Sequence, residues 1–340
     1  MKKIFLVIIP VILVLITVSC SDETAINKIL GTSAQAPVFM NYKVVSGTQV
    51  DFNFNIPVKV ISTSFIPAIE IASTADGESV SVHFAGDHSG GMQLTADVLV
   101  EDEDGNTLNV LVPFRTRNDR VPQFVINEVR TENTKPRSEF IELKMKSNGN
   151  LGALRLFAAS VSNDEPIYEF PPVEVLSGDY VVLHLRTYPG QENCIDELKD
   201  NLALAQLSGS ATEKKDMQNT ARDLFVPSNK KLLHKSEVVY IVDQDDHIVD
   251  AVMFAEDEKA WQKNSALKNA AELLAKQGAW LDPSGTAVKT PLFSHAVNSA
   301  GTVTTRTLCR DESKNDTNTL NDWYICATSK GTPGLANISL

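Results

Sequence analysis

The sequence predicts an all-β protein built from two β-sandwich domains, and three observations lead to that fold class. Apolar residues occupy every second position in short runs, as in residues 49–56, where one face carries Val50, Phe52, Phe54 and Ile56. Turn-forming dipeptides recur about every ten residues: Ser46-Gly47, Asp76-Gly77, Gly90-Gly91 and Asp104-Gly105. A charged segment that ends in proline, TRNDRVP at 116–122, separates two such regions and is expected to be the domain boundary.

Residues 1–19 have the features of an export signal. Lys2 and Lys3 precede the apolar run 4–16, and Ser19 stands directly before Cys20. The run is shorter than the roughly 20 apolar residues that a spanning helix needs. TVSC resembles the lipobox of bacterial lipoproteins, although Thr17 stands where leucine is usual, and this resemblance implies lipid attachment at Cys20. An uncleaved anchor or a plain signal peptide is the alternative, and each places the remaining chain outside the cytoplasm.

The charge balance is acidic and argues against nucleic acid as a partner. The formal net charge of the chain is −12. Because residues 1–19 hold two lysines and no acid, their removal makes it −14. Proteins bind phosphate backbones through clustered lysine and arginine, so no nucleic-acid partner is expected.

The cysteine residues of the chain allow one disulfide. The chain has Cys20, Cys194, Cys309 and Cys326, and three remain if Cys20 is lipidated. A disulfide is allowed outside the cytoplasm, and Cys309 with Cys326 is the favoured pair because both lie in one compact C-terminal stretch. Such a bridge would contribute on the order of 3 kcal/mol. Three free thiols are the alternative, and the absence of any CxxC pair argues against a zinc ribbon or a thioredoxin-type site.

The first domain is predicted to follow a tether. Residues 20–36 are polar and rich in small side chains, as flexible linkers are. Residues 37–120 then carry the alternating pattern, and the run 96–113 (ADVLVEDEDGNTLNVLVP) predicts a hairpin. This region resembles the immunoglobulin-like modules that bacterial surface proteins place before a terminal domain.

The second predicted domain, residues 122–340, contains an ordered series of recognisable segments: FVINEV (124–129) with EFIEL (139–143), FPPVEVLSGDYVVLHL (170–185), LLHKSEVVYIVDQDDHIVDAVMF (232–254), AWQK (260–263) and TSKGTPGLAN (328–337). Together they resemble the lamin-tail domain, an immunoglobulin-like β-sandwich. The resemblance implies a second sandwich, and it implies that the asparagine and glutamates near its start belong to the signature of the fold.

Two helix-permissive insertions account for the extra length of this domain, near 188–230 and near 256–300. The segment 257–278 predicts a helix, since apolar residues repeat at three-to-four spacing: Ala260, Leu267, Ala270, Ala271 and Leu274. Gly278 fits the helix end. Binding specificity is commonly carried by such insertions on a rigid scaffold.

The carboxylates near the start of this domain raise the question of catalysis. Strand alternation predicts that Glu128 shares a face with Ile126, while Asn127 shares one with Val129. A hydrolase using Glu128 and Glu142 is one alternative, because the loop between their strands allows the two acids to approach. The lamin-tail resemblance instead implies that these acids bind buried backbone N–H groups.

Other signals for chemistry are weak. The chain lacks the HExxH, GxSxG, P-loop and dinucleotide-binding motifs. The six histidines are scattered at spacings unlike those of metal ligands, so no metal and no cofactor is predicted.

The aromatic residues of the C-terminal third suggest a ligand surface instead. All three tryptophans lie there, and Trp261, Trp280 and Tyr324 are the predicted contact residues, with plugging of the sandwich end as the alternative. We therefore expect a lipid-anchored, non-enzymatic binding or scaffolding module of a bacterial envelope, in the periplasm or on the cell surface. Its expected partners are the membrane and an envelope protein or glycan. A carbohydrate-binding accessory protein, with Trp261 and Trp280 as platforms, is the alternative besides the hydrolase.

Overall fold

A computed structural model describes residues 36–86, 88–162, 164–189 and 215–338. The predicted export signal, Cys20 and all but the last residue of the tether lie outside the described residues, as does 190–214 of the first predicted insertion. The chain divides into two compact units. The first comprises Met1–His88 and Gln93–Thr116, and the second comprises Ser89–Met92 and Arg117–Leu340.

The first unit is a β-sheet structure with an aromatic core. Its strands are β1 (Phe39–Ser46), β2 (Gln49–Ile66), β3 (Ile71–Ala75), β4 (Gly77–Phe84), β5 (Gln93–Glu101) and β6 (Thr107–Arg115). The long strand β2 pairs with β1 and β4 through its first half and with β5 through its second half. The predicted hairpin is present as β5 and β6, and the ring of Phe65 lies 5.2 Å from that of Phe84 and 6.1 Å from that of Phe114.

The second unit contains the remaining elements. Its strands are β7 (Phe124–Arg130), β8 (Phe140–Met145), β9 (Gly149–Asn150), β10 (Arg155–Ala158), β11 (Tyr168–Glu169), β12 (Glu174–Val175), β13 (Tyr180–His184), β14 (Ala221–Phe225), β15 (Glu237–Val242), β16 (Ile248–Ala255), β17 (Val297–Asn298), β18 (Leu308–Arg310) and β19 (Trp323–Ile325). The helices are α1 (Glu258–Lys263) and α2 (Ser265–Lys276), with 3-10 turns at Phe293–His295 and Leu320–Asp322. The prediction of an all-β protein is confirmed.

Two sheets of the second unit bury one hydrophobic core. A six-stranded sheet has the order β14-β13-β8-β7-β18-β19, and a five-stranded sheet has the order β11-β10-β15-β16-β17. Both sheets supply apolar residues to the same cluster, among them Ile126, Leu143 and Leu183 from the first and Leu156, Val239 and Phe254 from the second. The opposite face of the six-stranded sheet, hereafter its outer face, carries the candidate site.

The predicted segment 257–278 is helical, but Asn264 divides it into α1 and α2, and the predicted apolar residue Ala260 is only half-buried. Asn264 caps α2 through its side chain, which accepts hydrogen bonds from the N–H groups of Ala266 and Leu267. The predicted apolar positions of α2 are buried, and Gly278 follows the helix with a positive φ of 72°. Among the helices of the described residues, none combines the length and the apolar character needed to cross a membrane.

One insertion boundary was wrong. Residues 221–225 were assigned to the helix-permissive insertion near 188–230, but they form β14, which pairs in parallel with β13. All five residues of this strand are buried. Arg222 and Asp223 interrupt the apolar pattern of this strand, although both charged side chains are buried. The spacing of apolar residues therefore did not indicate a strand.

Candidate functional site

Glu128 and Glu142 stand directly opposite each other on the outer face of the six-stranded sheet. The register of β7 and β8 shifts between Ile126 and Glu128, so the chain gains one residue at Asn127. As a result Ile126 and Val129 both enter the core. The prediction that Glu128 shares a face with Ile126 was therefore wrong, because strict alternation of side chains does not allow for a bulge.

The C-terminal strap, residues 331–337, covers this pair of glutamates. The backbone N–H of Thr332 donates to Oε2 of Glu128 at 3.0 Å. The backbone N–H of Gly334 donates to Oε2 of Glu142 at 2.5 Å. Both carboxylates are 0% exposed. Their predicted role as acceptors for buried backbone N–H groups is thus present in the structure.

Two further contacts fix the end of the strap. The side-chain amide of Asn337 donates to the backbone carbonyls of Asn127 at 2.9 Å and Arg310 at 3.0 Å. Its backbone N–H donates to a third carboxylate, Glu312, at 2.9 Å. Glu312 also forms an ion pair with Lys144. The strap is therefore bound to three strands and to the turn after β18.

The strap requires glycine at two positions because it lies so close to the sheet. A Cβ atom at position 331 would stand 2.9 Å from Oε1 of Glu128. At Gly334 the φ is +80°, and a Cβ there would stand 2.9 Å from that of Ala221. Within the segment TPGLAN, the backbone N–H groups of Thr332, Gly334 and Asn337 donate the hydrogen bonds to the three glutamates.

Burial raises the pKa values of both glutamates. The pKa of Glu128 rises to about 7, chiefly because the carboxylate is removed from water. The pKa of Glu142 is raised well above its usual value by burial and then by the negative charge of Glu128. Two buried carboxylates side by side favour a state in which the pair holds a proton.

The thiols of Cys309 and Cys326 lie beside this pair, and both are free and buried. The disulfide favoured from the sequence is therefore absent. Cys309 stands opposite Glu128 in the β18–β7 register, and the hydroxyl of Thr307 lies 3.4 Å from Sγ of Cys309 and 3.2 Å from Sγ of Cys326. The hydrogen bond between the two thiols lowers the pKa of Cys326 to about 5 and raises that of Cys309.

A buried serine–histidine–aspartate array lies on the same face, and sequence reasoning missed it. The hydroxyl of Ser138 is 3.2 Å from Nδ1 of His184, whose Nε2 is 2.8 Å from Oδ1 of Asp223. The ring of Phe225 stacks on the imidazole. Ser138 is only 3% exposed, so its hydroxyl is buried rather than presented as a nucleophile. No local motif joins these residues, because the sheet brings them together from three separate segments.

The predicted aromatic ligand surface is wrong for both tryptophans. Trp261 is 1% exposed and Trp280 is 0% exposed, and both belong to the core of the second unit. The indole N–H of Trp280 donates to the carbonyl of His295 at 2.9 Å. Tyr324 is half-buried, and its hydroxyl donates to the carbonyl of Ile338 at 2.6 Å. Trp261 is buried because the apolar face of α1 packs on the core, and Trp280, which follows α2, is buried in the same core.

A cluster at the β15–β16 turn has the composition of a metal site, but its carboxylates are already used. The ligand atoms of Asp243, Asp245 and His247 lie within 4.8 Å of one another. Arg117 donates two hydrogen bonds to the carboxylate of Asp245. Oδ1 of Asp243 accepts the backbone N–H groups of Asp245 and His247. The carboxylates of Asp243 and Asp245 therefore stabilise the turn instead of standing free for a metal ion.

An open cavity of about 650 Å³ lies between the loop 282–286 and the loop 311–322. Most of the residues that line it have polar side chains: Ser284, Ser313, Lys314, Asn315, Thr317 and Asn321. No sequence motif predicts this cavity, because two separate loops form it.

Comparison with known proteins places the second unit in a family. A family model described as "TP_1001_2nd: protein second domain" matches residues 122–325. The chain belongs to the TP_1001 second-domain family. A protein of Treponema pallidum (strain Nichols), described as uncharacterized, is 30% identical over 96 residues, which are 28% of this chain and 24% of that protein. The match thus spans about a quarter of the length of that curated relative.

The TP_1001 second-domain region includes β7 to β19 and both helices. Glu128, Glu142 and Cys309 lie inside it, whereas Cys326 and the strap follow its last matched residue.

Free thiols predict a specific labelling pattern. In the unreduced full-length protein, iodoacetamide should modify Cys309 and Cys326 only slowly, because both are buried. After unfolding in denaturant without reductant, peptide mass spectrometry should find both fully alkylated. A parallel sample unfolded with reductant is the control. Labelling that appears only in the reduced sample would show a disulfide instead.

The buried glutamates predict a pH dependence of stability. A carboxyl whose folded pKa is raised stabilises the fold below its unfolded pKa and loses that contribution as pH rises through the folded value. Glu128 shifts from 4.5 to about 7, so the free energy of unfolding should fall between pH 5 and pH 8. Replacing Glu128 with Gln should reduce this fall by roughly 3 kcal/mol. Urea titrations at both pH values measure it.

The exposed Glu165 supplies the matched control for that experiment. Glu165→Gln should leave the pH dependence of the wild type unchanged. An equal fall in the Glu128→Gln variant would show that the buried pair does not titrate in this range.

The anchoring of the strap by Asn337 also has a measurable consequence. Asn337→Ala leaves two backbone carbonyls without their side-chain donor, so the free energy of unfolding should drop by roughly 1–3 kcal/mol. Leu335→Ala in the same strap is the control, because Leu335 is 42% exposed and its loss should change stability by less than about 0.5 kcal/mol. Equal effects of the two substitutions in urea titrations would contradict the proposed role of Asn337.

Proposed function

We propose that the protein is a non-enzymatic binding or scaffolding module of a bacterial envelope, exported and lipid-anchored at Cys20. The non-enzymatic part of this proposal rests on the hydrogen bonds and the burial of Glu128 and Glu142. Their carboxylates accept backbone N–H groups of the strap and are 0% exposed. A substrate reaches neither acid while the strap is in place, so the hydrolase alternative is not favoured.

Buried ion pairs beside the six-stranded sheet support the same proposal. Arg186 forms an ion pair with the fully buried Glu139, and Arg130 forms one with Asp216. Each of these charges has a protein partner, as the burial of a charge requires. These ion pairs are thus explained by structure, and exposed loops are a common place for binding residues.

The sequence supports export and anchoring. Lys2, Lys3, the apolar run 4–16 and the TVSC segment have the order found in lipoprotein signals. A single acyl chain binds membranes only marginally, and multiple chains anchor stably. The lamin-tail resemblance of 122–340 remains a prediction, and it agrees with a binding or scaffolding role rather than with a catalytic one.

Replacement of Cys20 tests the anchor directly. In cells that export the protein, Cys20→Ala should move it from the detergent phase to the aqueous phase in detergent-phase partition, because no acyl chain remains to enter the micelle. Cys194→Ala is the matched control and should stay in the detergent phase. Retention of the Cys20→Ala variant in the detergent phase would contradict lipidation at this residue.

A further inference from the structure

The cavity between the loops 282–286 and 311–322 has the size and stiffness of a binding site. Its volume of about 650 Å³ lies within the roughly 300–1,000 Å³ range of small-molecule sites. The backbone N–H of Leu281 donates to the carbonyl of Asn318 at 2.8 Å, and the side-chain amide of Asn321 donates to the carbonyl of Pro283 at 2.8 Å. These two bonds join the walls, so a ligand meets a preformed shape.

The charged groups near the cavity already have partners. The ammonium of Lys314 lies 2.9 Å from the carboxylate of Asp311. Asp322, which is 3% exposed, accepts the backbone N–H groups of Thr317 and Thr319 and the hydroxyl of Thr317. No unpaired carboxylate among these residues awaits a cation, and the one lysine of the wall is neutralised. A strongly charged ligand would meet no complementary charge.

The remaining wall groups both donate and accept hydrogen bonds. The hydroxyls of Ser284, Ser313 and Thr317 donate to the carboxylates of Asp282, Asp311 and Asp322, so their oxygens act on a ligand as acceptors. The amides of Asn315 and Asn321 supply donors and further acceptors, and Asn321 keeps one N–H besides the one bonded to Pro283. A hydroxyl has one donor and two acceptor positions, and an amide has two of each. None of the described residues that line the cavity is aromatic, so a ligand would find no aromatic platform there.

We propose that this cavity binds a neutral saccharide. A saccharide presents closely spaced hydroxyls that donate and accept in several directions, which matches a wall of hydroxyl and amide groups. The inference rests on the proposed binding function and names its ligand class. It also moves the carbohydrate site away from Trp261 and Trp280, which are buried in the core.

Saturation-transfer difference NMR of the purified full-length protein tests this inference. The protein is kept in micelles of a detergent without a sugar headgroup, because a maltoside would compete. The saccharide probes are glucose, N-acetylglucosamine, cellobiose and N,N′-diacetylchitobiose, and inorganic phosphate and tetra-alanine are the non-saccharide probes. We expect saturation transfer to at least one saccharide, with a Kd on the order of 1 mM for a ligand of this size.

Substitutions in the wall locate the binding. Asn315 is exposed, so Asn315→Trp fills the cavity without disturbing the core and should abolish saturation transfer to the saccharide. Asn315→Ala removes only the amide and should weaken binding about tenfold, as the loss of a good hydrogen bond does. Asn109→Trp, at an exposed position of β6, is the matched control and should bind as the wild type does.

Three results would overturn the inference: no saccharide binds, only phosphate or tetra-alanine binds, or Asn315→Trp binds the saccharide unchanged. Failure here is distinguishable from failure of the proposed function. The micelle experiment does not depend on Cys20, whereas the partition of the Cys20→Ala variant does not depend on Asn315.

Discussion

The fold of the second unit depends on one constraint: the last residues of the chain are fastened to the first strands of the domain by buried carboxylates. Glu128 and Glu142 each accept a hydrogen bond from a backbone N–H of the strap. The side-chain amide of Asn337 donates to the backbone carbonyl of Asn127. Burying two adjacent acids is unfavourable unless each is hydrogen-bonded or protonated. The strap and the side-chain amide of Asn127 supply hydrogen bonds, and the raised pKa values favour a proton on the pair.

Two polar regions of the second unit differ in their accessibility. The outer face of the six-stranded sheet is polar yet closed, because its acids, thiols and histidine serve as partners for one another and for the strap. The loops at 282–286 and 311–322 are polar and open, with short hydrogen bonds that hold them in place. The acids, the thiols and Ser138 of the first region are buried. Recognition requires an accessible rigid surface, which the second region offers.

The sequence predicted what short-range pattern determines. Alternation identified the strands of the β5–β6 hairpin, and three-to-four spacing identified the buried positions of α2. It failed where long-range packing decides. A bulge at Asn127 reversed the face of Glu128, and β14 was missed because two of its five residues are charged. The prediction for Trp261 and Trp280 was wrong because tertiary packing, not residue type, determines whether an aromatic side chain reaches solvent. The cavity has no local signal at all.

Native-state hydrogen exchange at the backbone N–H groups of Thr332 and Gly334 tests the central constraint most directly. If the glutamates fasten the strap, these two N–H groups should open only with the core strands, so their exchange free energies should approach that of global unfolding. The N–H groups of Val129 and Leu143, within β7 and β8, supply the reference. Exchange of Thr332 and Gly334 at the rate of an unfolded peptide, while the strand N–H groups stay protected, would show that the strap lies on the sheet without securing it.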